Sequence, residues 1–218
     1  MRLVTEIDIG TDQTSVLLVG GNGNMGRRYQ AILNSMRVPY LIDDVGCRIG
    51  RNDYEGFSHI LVATPTDTHA DVLKTWSERA GKNVKFLCEK PITKNLDELQ
   101  KLLDTIPNLS MMTQYKELVK PISAGPSFYD YFKHGSDGLV WDTMQTIGLA
   151  RHGVEVQEKS PIWICKINGH SLEIGHMDVA YCLHVAKWIE GENQDPLETF
   201  EIHRKTAEYG KKCTTLKQ

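Results

Sequence analysis

No apolar run in this sequence approaches the roughly 18 residues that a membrane-spanning helix needs. Runs such as Val16–Val19 and Ile60–Ala63 stop after four residues. There is no basic excess either. Twenty-five Lys and Arg stand against 28 Asp and Glu, a net charge of −3, so no bulk positive field favours nucleic acid. Cysteine is sparse: Cys47, Cys88, Cys165, Cys182 and Cys213 are odd in number and widely spaced, with no C-x-x-C pair. That excludes a disulfide framework and a thiolate zinc site, and no metal is expected. The opening residues MRLVTEIDIGTDQT carry acids where a signal peptide needs an apolar centre, so the expected location is the cytoplasm, with no membrane partner. Repeats and low-complexity tracts are missing too. The remaining composition, 40% hydrophobic and 24% charged over 218 residues, fits a soluble globular chain of one large or two small domains.

The most informative stretch is SVLLVGGNGNMGRRYQAILNSM, Ser15 to Met36. Val16-Leu17-Leu18-Val19 suits a buried parallel strand, and a helix-like segment follows the loop Gly21, Gly23, Asn24, Met25, Gly26. In a G-x-G-x-x-G turn the first glycine permits the tight turn, the second lets backbone approach a pyrophosphate, and the third brings the helix against its strand. Phosphates would then meet unpaired N–H groups at the positive end of the helix dipole. Glycine triplets also arise by chance. The context that gives this one meaning is a strand before, a helix after, and an acid about 20 residues on. Val38–Ile42 reads as the second strand, with Asp43 and Asp44 at its end.

Strand and helix signals then alternate. Ser58–Ala63 is the third strand, stopped by Pro65. His69–Ala80 has helical spacing, with Gly81 as a stop. Val84–Cys88 is a fourth strand, delivering Glu89-Lys90-Pro91. Thr93 or Asn95 caps a helix carrying Leu96, Leu99, Leu102 and Leu103, and 109–112 offers a fifth strand. The pattern predicts a doubly wound α/β fold, a Rossmann-type parallel sheet with ligands beyond the carboxyl ends of its strands. After about Gln114 the texture changes. Residues 154–167 look strand-forming, with Pro161 at an edge or bulge, and Met177–Ile189 has a helical stripe. The tail from Gly191 is polar and thinly anchored. The expected division is a Rossmann domain over 1–118 and a smaller, abbreviated α+β domain over 119–218.

Gly21–Gly26, Ala63-Thr64-Pro65-Thr66-Asp67-Thr68-His69 and Cys88-Glu89-Lys90-Pro91, in this order, resemble the nucleotide-binding half of the glucose–fructose oxidoreductase / inositol dehydrogenase (Gfo/Idh/MocA) family. The resemblance covers residues 14–116, and Glu-Lys-Pro is its most specific element. It implies NAD or NADP and hydride exchange with a hydroxyl or carbonyl of a small sugar- or polyol-like substrate. Asp43 or Asp44 would hold the adenosine ribose and favour NAD over NADP, a preference that Arg27, Arg28 or Arg48 could soften. Thr64 and Pro65 would line the nucleotide cleft, with His69 and Glu89 beside it. Lys90 would reach the nicotinamide and stabilise a developing alkoxide.

The second half departs from the family pattern. About 100 residues are too few for its usual large sheet, and its D-x-G-x-H setting is only imitated by Glu173-Ile174-Gly175-His176, with the histidine one residue early. Two readings stand side by side. In one, His176 takes the hydroxyl proton with Lys90, and Glu173 or Asp178 orients the ring. In the other, these are helix-surface residues and the protein is a non-catalytic dinucleotide binder with a degenerate substrate site. Tyr129, Tyr131, Lys133, His134 and Trp141 read as a carbohydrate-sized pocket, and the aromatics among them equally well as a core or a dimer face. By family analogy the protein is expected to form a homo-oligomer.

Overall fold

The computed structural model describes residues 14–45, 56–119, 125–131, 140–157 and 159–215. They fall into two compact units, residues 1–112 with 185–196, and residues 113–184 with 197–218. Cys47 and Arg48 lie outside the described residues.

The first unit is a five-stranded parallel sheet. Its strands are β1 (Val16–Val19), β2 (Tyr40–Asp43), β3 (His59–Val62), β4 (Lys85–Cys88) and β5 (Leu109–Met111), in the order β2-β1-β3-β4-β5. Leu17 pairs with Leu41 on one side and Ile60 on the other, and Ile60 pairs in turn with Phe86. All four residues of β1 are buried, which is why its sequence is a continuous apolar run rather than an alternation. The helices are α1 (Asn24–Ser35), α2 (His69–Arg79) and α3 (Leu96–Thr105). Asn95 caps α3, its side chain accepting from the N–H groups of Asp97 and Glu98. Strand order reverses between β1 and β3, which puts the glycine turn at a topological switch point.

The second unit carries a mixed sheet of β6 (Ser127–Asp130), β7 (Val154–Gln157), β8 (Ile164–Ile167) and β9 (His170–Leu172), in the order β7-β6-β8-β9. Residues 154–167 are therefore two strands, not one. β7 runs parallel to β6 and β8 antiparallel to it, and exposed Pro161 lies in the connection between them. Asn168 and Gly169 turn β8 into β9 with φ of 52° and 81°, the left-handed pair that a type I′ hairpin demands. Tyr129 is buried with Tyr115, Cys165, Ile167 and Leu172, and Tyr131, Leu149 and Trp163 pack on that cluster. The Tyr129 and Tyr131 rings thus belong to a core rather than a sugar pocket. Lys133 and His134 lie outside the described residues.

Three further helices are α4 (Met144–Leu149), α5 (Met177–Glu190) and α6 (Pro196–Thr215). The last overturns the reading of 191–218 as a thinly anchored tail. Its buried face is Thr199, Ile202, His203 and Thr206, at helical spacing but mostly polar, so hydrophobic periodicity barely registers. Two of these side chains bond back into the helix: the His203 Nδ1–H donates to the Thr199 carbonyl at 2.8 Å, and the Thr206 hydroxyl to that of Ile202 at 2.7 Å. Burial pushes the His203 imidazole down to about 4. In the first unit, burial and the neighbouring Lys85 ammonium do the same to His59. Rings of this kind charge more easily in the unfolded chain. Stability is then full above about pH 6.5 and falls as pH drops toward 4, by about 2 kcal/mol for His203 between pH 7 and 4.5. Urea midpoints at the two pH values should show this loss, and His203→Gln should flatten the dependence.

Candidate dinucleotide-binding and catalytic site

The glycines of the turn differ in what their neighbours require. Gly20, not Gly21, takes the left-handed conformation, at φ 81°, and a Cβ there would lie 2.8 Å from the Thr64 amide nitrogen. At Gly21 a Cβ would strike Ile42 Cγ2 at 2.7 Å, and at Gly26 it would stand 2.3 Å from the carbonyl oxygens of both Gly20 and Gly21. Those three positions are glycine because the fold leaves no space. Gly23 is different. Its φ of −72° and ψ of 175° suit any residue, and a Cβ would meet only the Gly20 carbonyl oxygen, at an ordinary 3.5 Å. Among the described residues, nothing explains the missing side chain at Gly23. A ligand pressed against its backbone would.

Gly23 is also the N-cap of α1. It offers no side-chain acceptor to the first turn, and that turn carries no acid, so the helix presents a bare positive end. The turn in front of it is held rigidly. The Gly20 N–H donates to the Asp43 carbonyl at 2.8 Å. Asn22 N–H donates to Asp44 Oδ2 at 2.7 Å, Arg27 Nε to the Asn22 carbonyl at 3.1 Å, and Gln30 Nε2 to the Gly21 carbonyl at 2.9 Å.

In front of the turn lies a cleft of about 690 Å³, within the size range of small-molecule sites. Gly20, Gly23, Asp43, Asp44, Thr64, Pro65, Trp76 and Arg79 are among its lining residues. The Thr64 hydroxyl is buried without a partner. The cleft thus gathers Gly23, Asp43, Asp44, Thr64 and Pro65 from the expected cofactor set. Gly21 and Gly26 back the turn, with exposed Asn24 and half-buried Met25 beside them. Asp44 gives its carboxylate to the amides of Asn22 and Val45, both at 2.7 Å.

Sequence reasoning missed the wall from α2. Trp76 is 4% exposed, with the Arg79 guanidinium 5.6 Å over its ring. Both residues lie on the cleft, whereas Arg27 and Arg28 are taken up with Asn22 and Met25. Their i, i+3 spacing next to the cleft strand was a usable signal, but it equally describes an ordinary packed helix face.

At the end of β4, Glu89 is 6% exposed and Lys90 half-buried, and the Lys90–Pro91 peptide is cis. The Tyr29 hydroxyl donates to Glu89 Oε1 at 2.5 Å, and the Lys90 N–H donates to Glu89 Oε2 at 3.0 Å. His69, 1% exposed, lies behind the cleft wall, its ring nitrogens 2.8 Å from the Pro91 carbonyl oxygen and 2.7 Å from that of Thr64. In the second unit the His176 side chain is 61% exposed, its Nε2 3.8 Å from a still more open Glu173, and Asp178 is exposed in the first turn of α5. The more enclosed imidazole–carboxylate pair there is His184 with Glu117, 3.2 Å apart. Burial pushes the Cys165 thiol up to about 12 and that of Cys88 well above its usual range, so neither is an activated nucleophile.

Residues 49–116 match the family model described as the oxidoreductase family, NAD-binding Rossmann fold, GFO_IDH_MocA. The chain resembles the Gfo/Idh/MocA oxidoreductases. Its first unit accordingly has the Rossmann fold and is similar to the NAD-binding domain of that family, and its second is a small mixed-sheet domain. Solved structures of dehydrogenases share the fold over nearly the whole chain. A Gfo/Idh/MocA family oxidoreductase from Vibrio cholerae has 9% identity and a TM-score of 0.68, covering 93% of this chain and 99% of its own. A myo-inositol dehydrogenase from Corynebacterium glutamicum has 12% identity and a TM-score of 0.64, covering 92% and 96%. The WlbA (WbpB) dehydrogenase from Thermus thermophilus, solved with NAD and UDP-GlcNAcA, has 13% identity and a TM-score of 0.62, covering 90% and 94%. No curated protein sequence matches the chain. Among the described residues, no helix is long and apolar enough to cross a membrane.

Proposed function

We propose that the protein is an NAD-dependent oxidoreductase acting on a hydroxyl or carbonyl of a small sugar- or polyol-like compound. The observation that carries this reading is Gly23, a glycine whose missing side chain serves only what occupies the cleft. The pyrophosphate would lie against the Gly23–Gly26 amides at the bare end of α1, and the ribose hydroxyls would donate to Asp43, whose neighbour Asp44 already serves two amides. Trp76 gives the nucleobase a flat wall, and Arg79 is the cation on the cleft that could admit a 2′-phosphate. NAD, when bound, supplies the hydride acceptor. The substrate carbinol loses a hydride and its hydroxyl a proton, and becomes a carbonyl. Lys90 stabilises the developing alkoxide, and His176 takes the proton, with Asp178 or Glu173 orienting its ring. WlbA in complex with a nucleotide sugar and an inositol dehydrogenase support a polyhydroxylated substrate, and by the same analogy the protein would work as a homo-oligomer.

The open setting of His176 and Glu173 favours a second reading, a dinucleotide-binding protein without turnover. One set of measurements separates the two. NAD titration by calorimetry should give a saturable isotherm, and Gly23→Ala should weaken it at least tenfold at unchanged Tm, because its methyl group enters the cleft and not the core. NADH formation with a polyol and sugar panel then supports the enzyme. Binding without NADH formation supports the second reading, and no binding rejects both.

A further inference from the structure

Lys90 stands in a turn that is anchored from two directions, neither of which belongs to the cleft lining. The first anchor is Tyr29. It is fully buried and lies one helical turn after Gly26 on α1, the helix whose amino end faces the proposed pyrophosphate position. Its hydroxyl holds Glu89 Oε1 at 2.5 Å, and the other carboxylate oxygen accepts the backbone N–H of Lys90 at 3.0 Å. The chain of bonds runs from the cofactor helix through a buried carboxylate to the lysine's own backbone. The second anchor is His69, also buried, whose ring spans the carbonyls of Pro91 and Thr64. It ties the turn after β4 to the cleft wall after β3. Both anchors sit in sealed surroundings, where a lost partner leaves an unsatisfied group and loosens what it held.

We infer that Tyr29 and His69 are positioning residues for Lys90: through Glu89 and Pro91 they fix the lysine's backbone relative to the two strand ends that carry the dinucleotide. The inference rests on the reading of Lys90 as the reacting lysine, and it adds the devices that aim it. Tyr29 is more than a packing residue here, because a phenylalanine fills the same volume but leaves Glu89 Oε1 unpaired.

The test uses the whole chain with its lysines reductively ¹³C-methylated, the Lys90 resonance being assigned by its absence in Lys90→Arg. Tyr29→Phe and His69→Gln are compared with the wild type in Lys90 line shape, NAD affinity, Tm and, where a substrate is found, steady-state kinetics. The expected result is an altered Lys90 signal in both variants, with NAD affinity within about threefold of the wild type and kcat lower by roughly ten- to a hundredfold, the scale set by an ångström of misplacement. Unchanged Lys90 signals in the folded variants, with lowered Tm alone, would reduce both residues to structural roles and overturn the inference. If one variant does not fold, the other decides on the same criteria. A wild type that turns over nothing while Lys90 responds as expected would defeat the enzymatic reading and leave the positioning intact.

Discussion

Lys90→Met is expected to lower turnover by roughly a hundred- to ten-thousandfold, the range for a positioned acid–base group, while NAD affinity changes little. Methionine preserves the length and the apolar stem but removes the charge. The backbone at this position is held independently of the ammonium, by the Lys90 N–H on Glu89 and the His69 ring on the Pro91 carbonyl. The substitution therefore removes chemistry without removing the turn. Steady-state rates on a responsive substrate, with calorimetric NAD affinity measured alongside, check it. Undiminished turnover would take Lys90 out of the reaction. Equal losses in affinity and rate would make it a cofactor ligand only.

Gly26→Ala should have the largest effect on the fold. Its methyl group would stand 2.3 Å from two carbonyl oxygens and 2.4 Å from the Gly21 carbonyl carbon, all backbone atoms with little freedom to retreat. Gly20 is hydrogen-bonded to Asp43, and the Gly21 carbonyl is held by Gln30. Relief requires α1 to lift from β1, which opens the packing of Tyr29, Ile32 and Leu33, the buried apolar residues of that helix. A cost of about 3 kcal/mol or more follows, enough to lower Tm by roughly 10 °C in a chain of this size, and NAD binding should be lost with it. A thermal melt and a titration suffice. A variant that melts with the wild type and still binds NAD would mean the helix–strand contact is not as close as described.

The parallel half was legible because its elements announce themselves locally. Central strands buried on both faces must be continuous apolar runs, α2 stops just before Gly81, and α3 begins at the capping Asn95. The candidate site was legible to the same depth: the turn, Asp43, Thr64, Glu89 and Lys90 all sit at strand ends, where an α/β sheet puts its ligands. What stayed hidden depends on partners far away in the chain. The left-handed residue is Gly20, where Thr64 just past β3 would also crowd any side chain, and no local signal picks it over Gly21. Trp76 and Arg79 face the cleft only because of how α2 lies on the sheet.

In the second half, α6 was missed for a different reason. His203 and Thr206 satisfy polar atoms inside the helix, so its buried face needs no apolar stripe. The Asn168-Gly169 dipeptide carries a hairpin signal, and the β8–β9 turn forms there. His176, one residue early, is exposed, while Met177 at the start of α5 packs toward the core of the second unit.

Gly23 has an evolutionary corollary. Because the fold tolerates a methyl group there, one codon change could yield a lineage that is as abundant and as heat-resistant as its parent yet blind to its coenzyme. Quality control in the cell, which senses misfolding, would let such a copy pass. Only selection on cofactor use would notice, so relatives of this protein that carry a larger residue at that position should be assayed for NAD binding before any activity is carried over to them.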